Sequence, residues 1–212
     1  MKRRHLSLLL LLPGCSVLPD RPYIETRRYA LDPQREGRPR PSRGQALLLR
    51  SVAAGPGLDS RGLRRLRPDH SLDVAPYDEW IGPPAELAEA ALREWLRESG
   101  LFPAVATPGT RLAAPLVLEV ELTRLERFGP VARAGMGALL LRDGSNPVSG
   151  RQVLAQTVVE AEAPVSGTAE PPAEAAAMRD ALGRAFQRLE QWLANNIPRG
   201  TAAAATAAPR RR

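Results

Sequence analysis

The sequence has few of the side chains that carry covalent, metal or redox chemistry. A single cysteine, Cys15, occurs in 212 residues, which excludes a disulfide within the chain. Only two histidines are present, His5 and His70, and His5 lies in the N-terminal leader. No Cys/His zinc set can therefore be assembled downstream. A Ser/His/Asp arrangement would have to use His70, which stands alone in a turn sequence, and no Gly-x-Ser-x-Gly elbow supplies a nucleophile. Gly55-Pro56-Gly57 lacks the lysine and the spacing of a phosphate loop. Asp73, Asp78 and Glu79 gather near Trp80, where acids in a helix-entry loop are the ordinary expectation. The inventory argues against an enzyme, and it calls for no cofactor and no metal.

Aromatic residues make up 4% of the chain, and no basic stretch interleaved with aromatics offers a stacking platform for bases. The net charge of +7 sits at the ends: Lys2, Arg3 and Arg4 in the leader, Arg199, Arg210, Arg211 and Arg212 in the tail, with no acid in either. Residues 15–198 are neutral, which removes the support for a nucleic-acid partner.

Among the features that are present, the leader comes first. Lys2-Arg3-Arg4 precedes the apolar run 6–12, and Pro13-Gly14-Cys15 follows. This is the order of a charged region, an apolar region and a small-residue cleavage point. The run is far shorter than the about 20 apolar residues of a spanning helix. Leu12-Pro13-Gly14-Cys15 resembles a bacterial lipobox, so cleavage is expected after Gly14 and lipidation at Cys15. Each buried CH₂ of an acyl chain contributes about 0.8 kcal/mol, and more than one chain makes a stable anchor. Residues 1–14 are thus expected to be a signal peptide and residues 15–28 a lipidated tether. Fully extended, residues 16–28 reach at most about 45 Å, which keeps the folded domain near the membrane that holds the anchor.

Residues 28–31 suggest a short first strand, and 32–44, rich in Pro, Arg and Gly, a solvated basic loop. Residues 45–53 read as a buried strand, and 62–67 and 71–76 as weaker strands joined by the turn 67–70. Pro83-Pro84-Ala85-Glu86 opens a helix with Leu87, Ala91 and Trp95 on one stripe, stopped at Ser99-Gly100. Alternation over 116–122, with a slip at Leu125 that a bulge near Thr123-Arg124 would explain, gives a long strand. Residues 131–142, weakened by Gly135 and Gly137, and 152–163 complete a three-stranded meander. Residues 173–195 carry Met178, Ala181, Leu182, Ala185, Leu189, Trp192 and Leu193 at helical spacing, the core-facing stripe of a last helix. Residues 201–212 have no large apolar side chain and are expected to be a disordered Ala/Arg tail, which begins at 199. The expected fold class is α+β: two layers, a mixed or antiparallel sheet with two long amphipathic helices packed on it.

From about Tyr29 to Asn195 the order of signals resembles the ABC-type transport auxiliary lipoprotein family. The resemblance rests on Tyr29-Ala30-Leu31 soon after the cysteine, Pro56-Gly57-Leu58-Asp59 with Arg61-Gly62-Leu63, Tyr77 and Trp80 before a helix, and Ala177-Met178 with Ala181-Leu182. The chain departs from the family at Ile81-Gly82-Pro83-Pro84 and in its Arg-rich loop and tail. The resemblance implies that residues 29–198 form the family's domain, a non-catalytic accessory of a transporter. Such a transporter has an ABC permease, an ATPase and a mammalian-cell-entry (MCE) domain protein that moves lipids between membranes. It further implies membrane attachment through the lipid anchor and, with Ser16 after the cysteine, the periplasmic face of the outer membrane. Oligomeric state, including a homo-oligomer, stays open. A neutral body without catalytic groups acts through surfaces, and the expected partner contact is the loop region 69–84, with Asp69, Asp78 and Glu79 as its polar members. Trp80 is expected first as a core residue and second as an interface anchor. The alternative class is an outer-membrane assembly or cell-wall-associated structural lipoprotein.

Overall fold

The computed structural model describes residues 23–144 and 150–198. It contains one mixed sheet of eight strands and two long helices, an α+β fold. In chain order the elements are β1 (Arg27–Tyr29), β2 (Leu47–Ala54), β3 (Gly62–Leu66), β4 (Leu72–Trp80), α1 (Pro84–Glu98), β5 (Val105–Ala106), β6 (Leu116–Phe128), β7 (Val131–Asp143), β8 (Arg151–Pro164) and α2 (Pro171–Asn196). Among the described residues, no helix is long and apolar enough to cross a membrane.

The meander β6–β7–β8 is antiparallel throughout and forms the platform of the fold. Its alternation places Leu118, Val120, Leu122, Ala134, Met136, Leu140, Val159 and Ala161 in the core. The slip read from the sequence is a bulge: Leu122 pairs with Met136 and Arg124 with Gly135, so Thr123 is the extra residue. The bulge returns Leu125 to the buried face. Gly135 and Gly137 do not interrupt β7, because both lie within a continuous ladder paired on each side.

The other edge of β6 is shared. β2 runs parallel to its first half, from Leu47 opposite Leu116 to Ala54 opposite Leu122. β3 runs parallel to its end, Leu66 opposite Phe128. β4 returns antiparallel to β3, and β1 adds a short parallel strand on β4, Arg27 opposite Asp78 and Tyr29 opposite Trp80. The strand expected over 71–76 therefore continues through Trp80, and the first strand, expected over 28–31, begins one residue earlier, so that Arg27, expected within the tether, already belongs to the sheet. β5 has no counterpart in the sequence reading; two residues beside β2 carry no periodicity.

Both helices cover one face of the sheet, α1 over β2 and α2 over β7 and β8. Each begins with proline in its first turn, where a missing N–H costs nothing, and carries an acid there, Glu86 or Glu174. The centre of the α1 stripe lies one position from where it was expected: Ala88, Leu92, Trp95 and Leu96 are buried, while Leu87 and Ala91 lie at its margin. The helices meet where Trp95 packs edge-on against Phe186, ring centroids 5.5 Å apart at 73°. Such a pair contributes about 1 kcal/mol beyond area burial.

Candidate functional site

The irregular segment 32–44, expected to be solvated, is a strap laid across both helices. Its anchor is Glu190 of α2, whose side chain is only 4% exposed. Arg35 reaches this carboxylate with two donors, Nε to Oε2 at 2.9 Å and Nη2 to Oε1 at 3.0 Å. Arg40 Nε donates to Oε1 at 2.7 Å, and Trp95 Nε1 from α1 donates to Oε2 at 2.9 Å. Burial pushes the Glu190 carboxyl up, but the bonds from Arg35 and Arg40, the charge of Arg35 and the indole bond outweigh it and hold it below the usual value. The bond to Glu190 raises the Arg35 pKa.

Backbone bonds from Arg40 N to Ser99 O, 2.7 Å, and Arg43 N to Leu101 O, 2.8 Å, zip the strap onto the chain that follows α1. Two glycines make room for it. A Cβ on Gly183, inside α2, would stand 3.3 Å from Pro33. Gly100, with φ +72°, would put one 2.6 Å from the carbonyl of Arg40. Most of the strap is exposed, as expected of a solvated loop, but Arg35 and Arg40 are bound, and the sequence hides this because their acceptor lies about 150 residues away. A signal did exist: Glu174 and Glu190 both interrupt the apolar phase of α2, and an acid in that phase must be paired.

Glu174, fully buried in the first turn of α2, receives Arg65 Nε from β3 at 2.8 Å and Arg127 Nη1 from β6 at 2.9 Å. This node fastens the start of α2 to the end of the sheet where β4 begins.

The residues expected at a partner contact are divided by the fold. Asp78 and Glu79 are neighbours on β4, not members of a loop, and β1 engages both. Arg27 Nε lies 2.8 Å from Asp78 and Arg28 Nε 2.9 Å from Glu79. Asp78 is 8% exposed and also accepts from Tyr29 Oη at 2.8 Å. Burial first, and this bond second, push the Tyr29 phenol up to about 12. The Asp78 bond likewise raises the Arg27 pKa. Trp80 is 1% exposed and belongs to the core.

Asp69 lies at the other end of β4, exposed in the turn from β3, where His70 takes φ 64°. Its carboxylate accepts from Ser71 Oγ and Ser71 N, which hold its pKa below the ordinary value. Cys15 and Gly14 lie outside the described residues. Among the described residues no group of three His, Cys, Asp or Glu side chains converges as a metal site.

Two clefts flank the strap. One, of about 590 Å³, lies between Asp32, Pro33, Gln34 and the α2 residues Arg179, Asp180 and Gln187. The other, of about 310 Å³, is more apolar, with Leu31, Ile81, Leu87 and Ala91 in its wall. A third, of about 460 Å³, lies at the start of β6 among Thr107, Leu112 and Pro115.

The model of the ABC-type transport auxiliary lipoprotein component family matches residues 29–190. Among solved structures, the fold is similar to that of a Xanthomonas campestris protein of family DUF330, with a TM-score of 0.62 and 23% identity. That likeness covers 82% of this chain and 95% of the other. An uncharacterized protein gives a TM-score of 0.60 at 13% identity, over 80% of this chain and 99% of the other. No curated protein matches the chain.

Proposed function

The chain belongs to the ABC-type transport auxiliary lipoprotein family, and from that membership we propose a non-catalytic subunit, lipid-anchored through Cys15, of a transporter that moves lipids between membranes. In this reading it stands on the periplasmic face of the outer membrane and receives an MCE-domain protein sent outward from an energised inner-membrane complex. The observation that carries the reading is the family match across nearly the whole described domain. It is supported by the lipobox-like Leu12-Pro13-Gly14-Cys15. It is supported also by the use to which the buried charges are put: Glu174, Glu190 and Asp78 all hold elements together. A protein whose charged groups are committed in this way offers surfaces, not reacting groups.

The partner contact is proposed at the end of β4 that leads into α1, where Glu79 is partly exposed and Ile81 is 53% exposed. Asp78 and Trp80 would act from within, by fixing that end of the strand. Asp69 serves as the comparison site at the opposite end. Photo-cross-linkers at Glu79, Ile81 and Asp69 in intact cells test this. Capture of an MCE protein from Glu79 or Ile81 is the expected result. Capture of cell-wall material alone from every site would favour a structural lipoprotein instead.

A further inference from the structure

The two ends of the domain differ in a way that bears on its orientation. β1 runs parallel to β4, so the residues before Arg27 lead back toward the end where β4 begins with Leu72. α2 starts at that same end, fixed by Arg65 and Arg127 to Glu174, and finishes at the other. The N-terminal segment and the C-terminal helix end therefore leave the domain in opposite directions.

At the Leu72 end, the sheet face not covered by helices carries an apolar row across five strands. Leu72 stands opposite Leu66, Leu66 opposite Phe128, Phe128 opposite Val131, and Val131 opposite Pro164. Leu72 is 42% exposed and Val74 beside it 39%. Tyr23 and Ile24, on the approach to β1, are 90% and 54% exposed. Most charged groups beside the row are paired: Asp73 with Arg67 at 3.6 Å, and Arg133, whose guanidinium lies 4.2 Å over the Phe128 ring, with Glu162 at 2.8 Å, while Asp69 keeps its charge. The surface is thus apolar with a rim of mostly paired charges.

We propose that this row is a membrane-resting surface, laid on the same bilayer that holds the acylated Cys15. The inference rests on the reading of Cys15 as the lipid anchor. Tyr23 lies eight residue steps after Cys15, so that end of the domain stays within about 28 Å of the lipid even when the segment is fully extended. An apolar surface held so close to a bilayer gains by entering the interface, where a tyrosine such as Tyr23 is also favoured. Acyl chains keep the protein on the membrane, and the row sets its pose, with α1's first turn and the end of α2 facing away.

The test uses the lipidated full chain reconstituted in phosphatidylcholine vesicles. Once Cys15 is acylated the chain has no other thiol, so single cysteines introduced as L72C, V131C and L112C can each carry an environment-sensitive dye. Leu112 lies at the opposite end, near the start of β6, and is 50% exposed. Dyes at 72 and 131 should shift to the blue and be quenched by nitroxide lipids, while the dye at 112 should stay in water. Adding V74Q should reduce the quenching at 131. Because the row is apolar and most charges beside it are paired, high salt should leave both signals nearly unchanged. Protein that floats with the vesicles while 72 and 131 remain in water overturns the proposal and leaves the anchor reading intact. A disulfide between unlabelled L72C copies on one vesicle overturns it in favour of a second chain covering the row. Protein that does not float defeats the anchor reading, and the proposal with it.

Discussion

Trp95 of α1 and Glu190 of α2 are joined by a 2.9 Å hydrogen bond from the indole nitrogen to a carboxylate that also binds Arg35 and Arg40. One buried acid thereby ties together both helices and the segment that crosses them. E190Q keeps the volume and removes the charge, leaving Arg35, 6% exposed, without its counterion. Breaking a buried pair from one side costs about 3 kcal/mol, to be read as a lower urea midpoint. The folded-state pKa of Glu190 lies below its ordinary value of 4.5, so its contribution is present above that pH and is lost as pH falls through the depressed value. The gap between wild type and E190Q should therefore close only in acid.

The strap should be released locally by G100A. A side chain at φ +72° carries strain of about 1–3 kcal/mol, and here its Cβ would also press on the Arg40 carbonyl at 2.6 Å. Limited trypsin digestion should cut faster after Arg35 or Arg43 in this variant, Arg38 and Arg40 being protected by the prolines that follow them. An unchanged cleavage rate would mean that the strap is not held by the Arg40–Ser99 bond.

Y29F removes one donor from the nearly buried Asp78 and should cost about 1 kcal/mol. The Tyr29 phenol is raised from 10.0 to about 12, so this contribution is complete below pH 10 and is lost as pH rises through about 12. Ultraviolet titration should show a tyrosinate step near pH 12 in the wild type that Y29F lacks.

C15A should move the protein from the membrane fraction to the soluble fraction with an unchanged melting temperature, because among the described residues the first folded element begins at Arg27. Persistence in the membrane pellet after a salt wash would exclude Cys15 as the anchor. A lowered melting temperature would show that the segment before β1 packs on the domain.

The parts of the fold that were legible share one property: their signal is local. The alternation along β6, its slip at Thr123 and the apolar stripe of α2 each lie within a single element, and each sits where its period placed it. The strap and the nodes at Glu174 and Glu190 were hidden because an ion pair leaves no period in the sequence. Arg35 reads as one arginine among many until the fold brings Glu190 to it. The parallel pairing of β2 and β3 along one edge of β6 was equally silent, since nothing in either strand names its neighbour. At the expected contact, composition found the acids but not their status: Asp78 and Trp80 lie inside and Asp69 stands at the other end of β4.

The opposite directions taken by the approach to β1 and by the end of α2 also decide how the domain bears a pull. If Cys15 is the anchor, a load applied between the lipid and whatever grips the far end enters through β1, along the strand axis. Its few bonds to β4, and the Arg27–Asp78 and Arg28–Glu79 pairs beside them, are then strained together and not peeled one at a time. If β1 gives way, the slack runs only as far as the strap, where Arg35 and Arg40 hold the chain to Glu190. Tension would thus be met in two stages, first by a short sheared strand and then by a buried clamp, before the core strands are pulled apart.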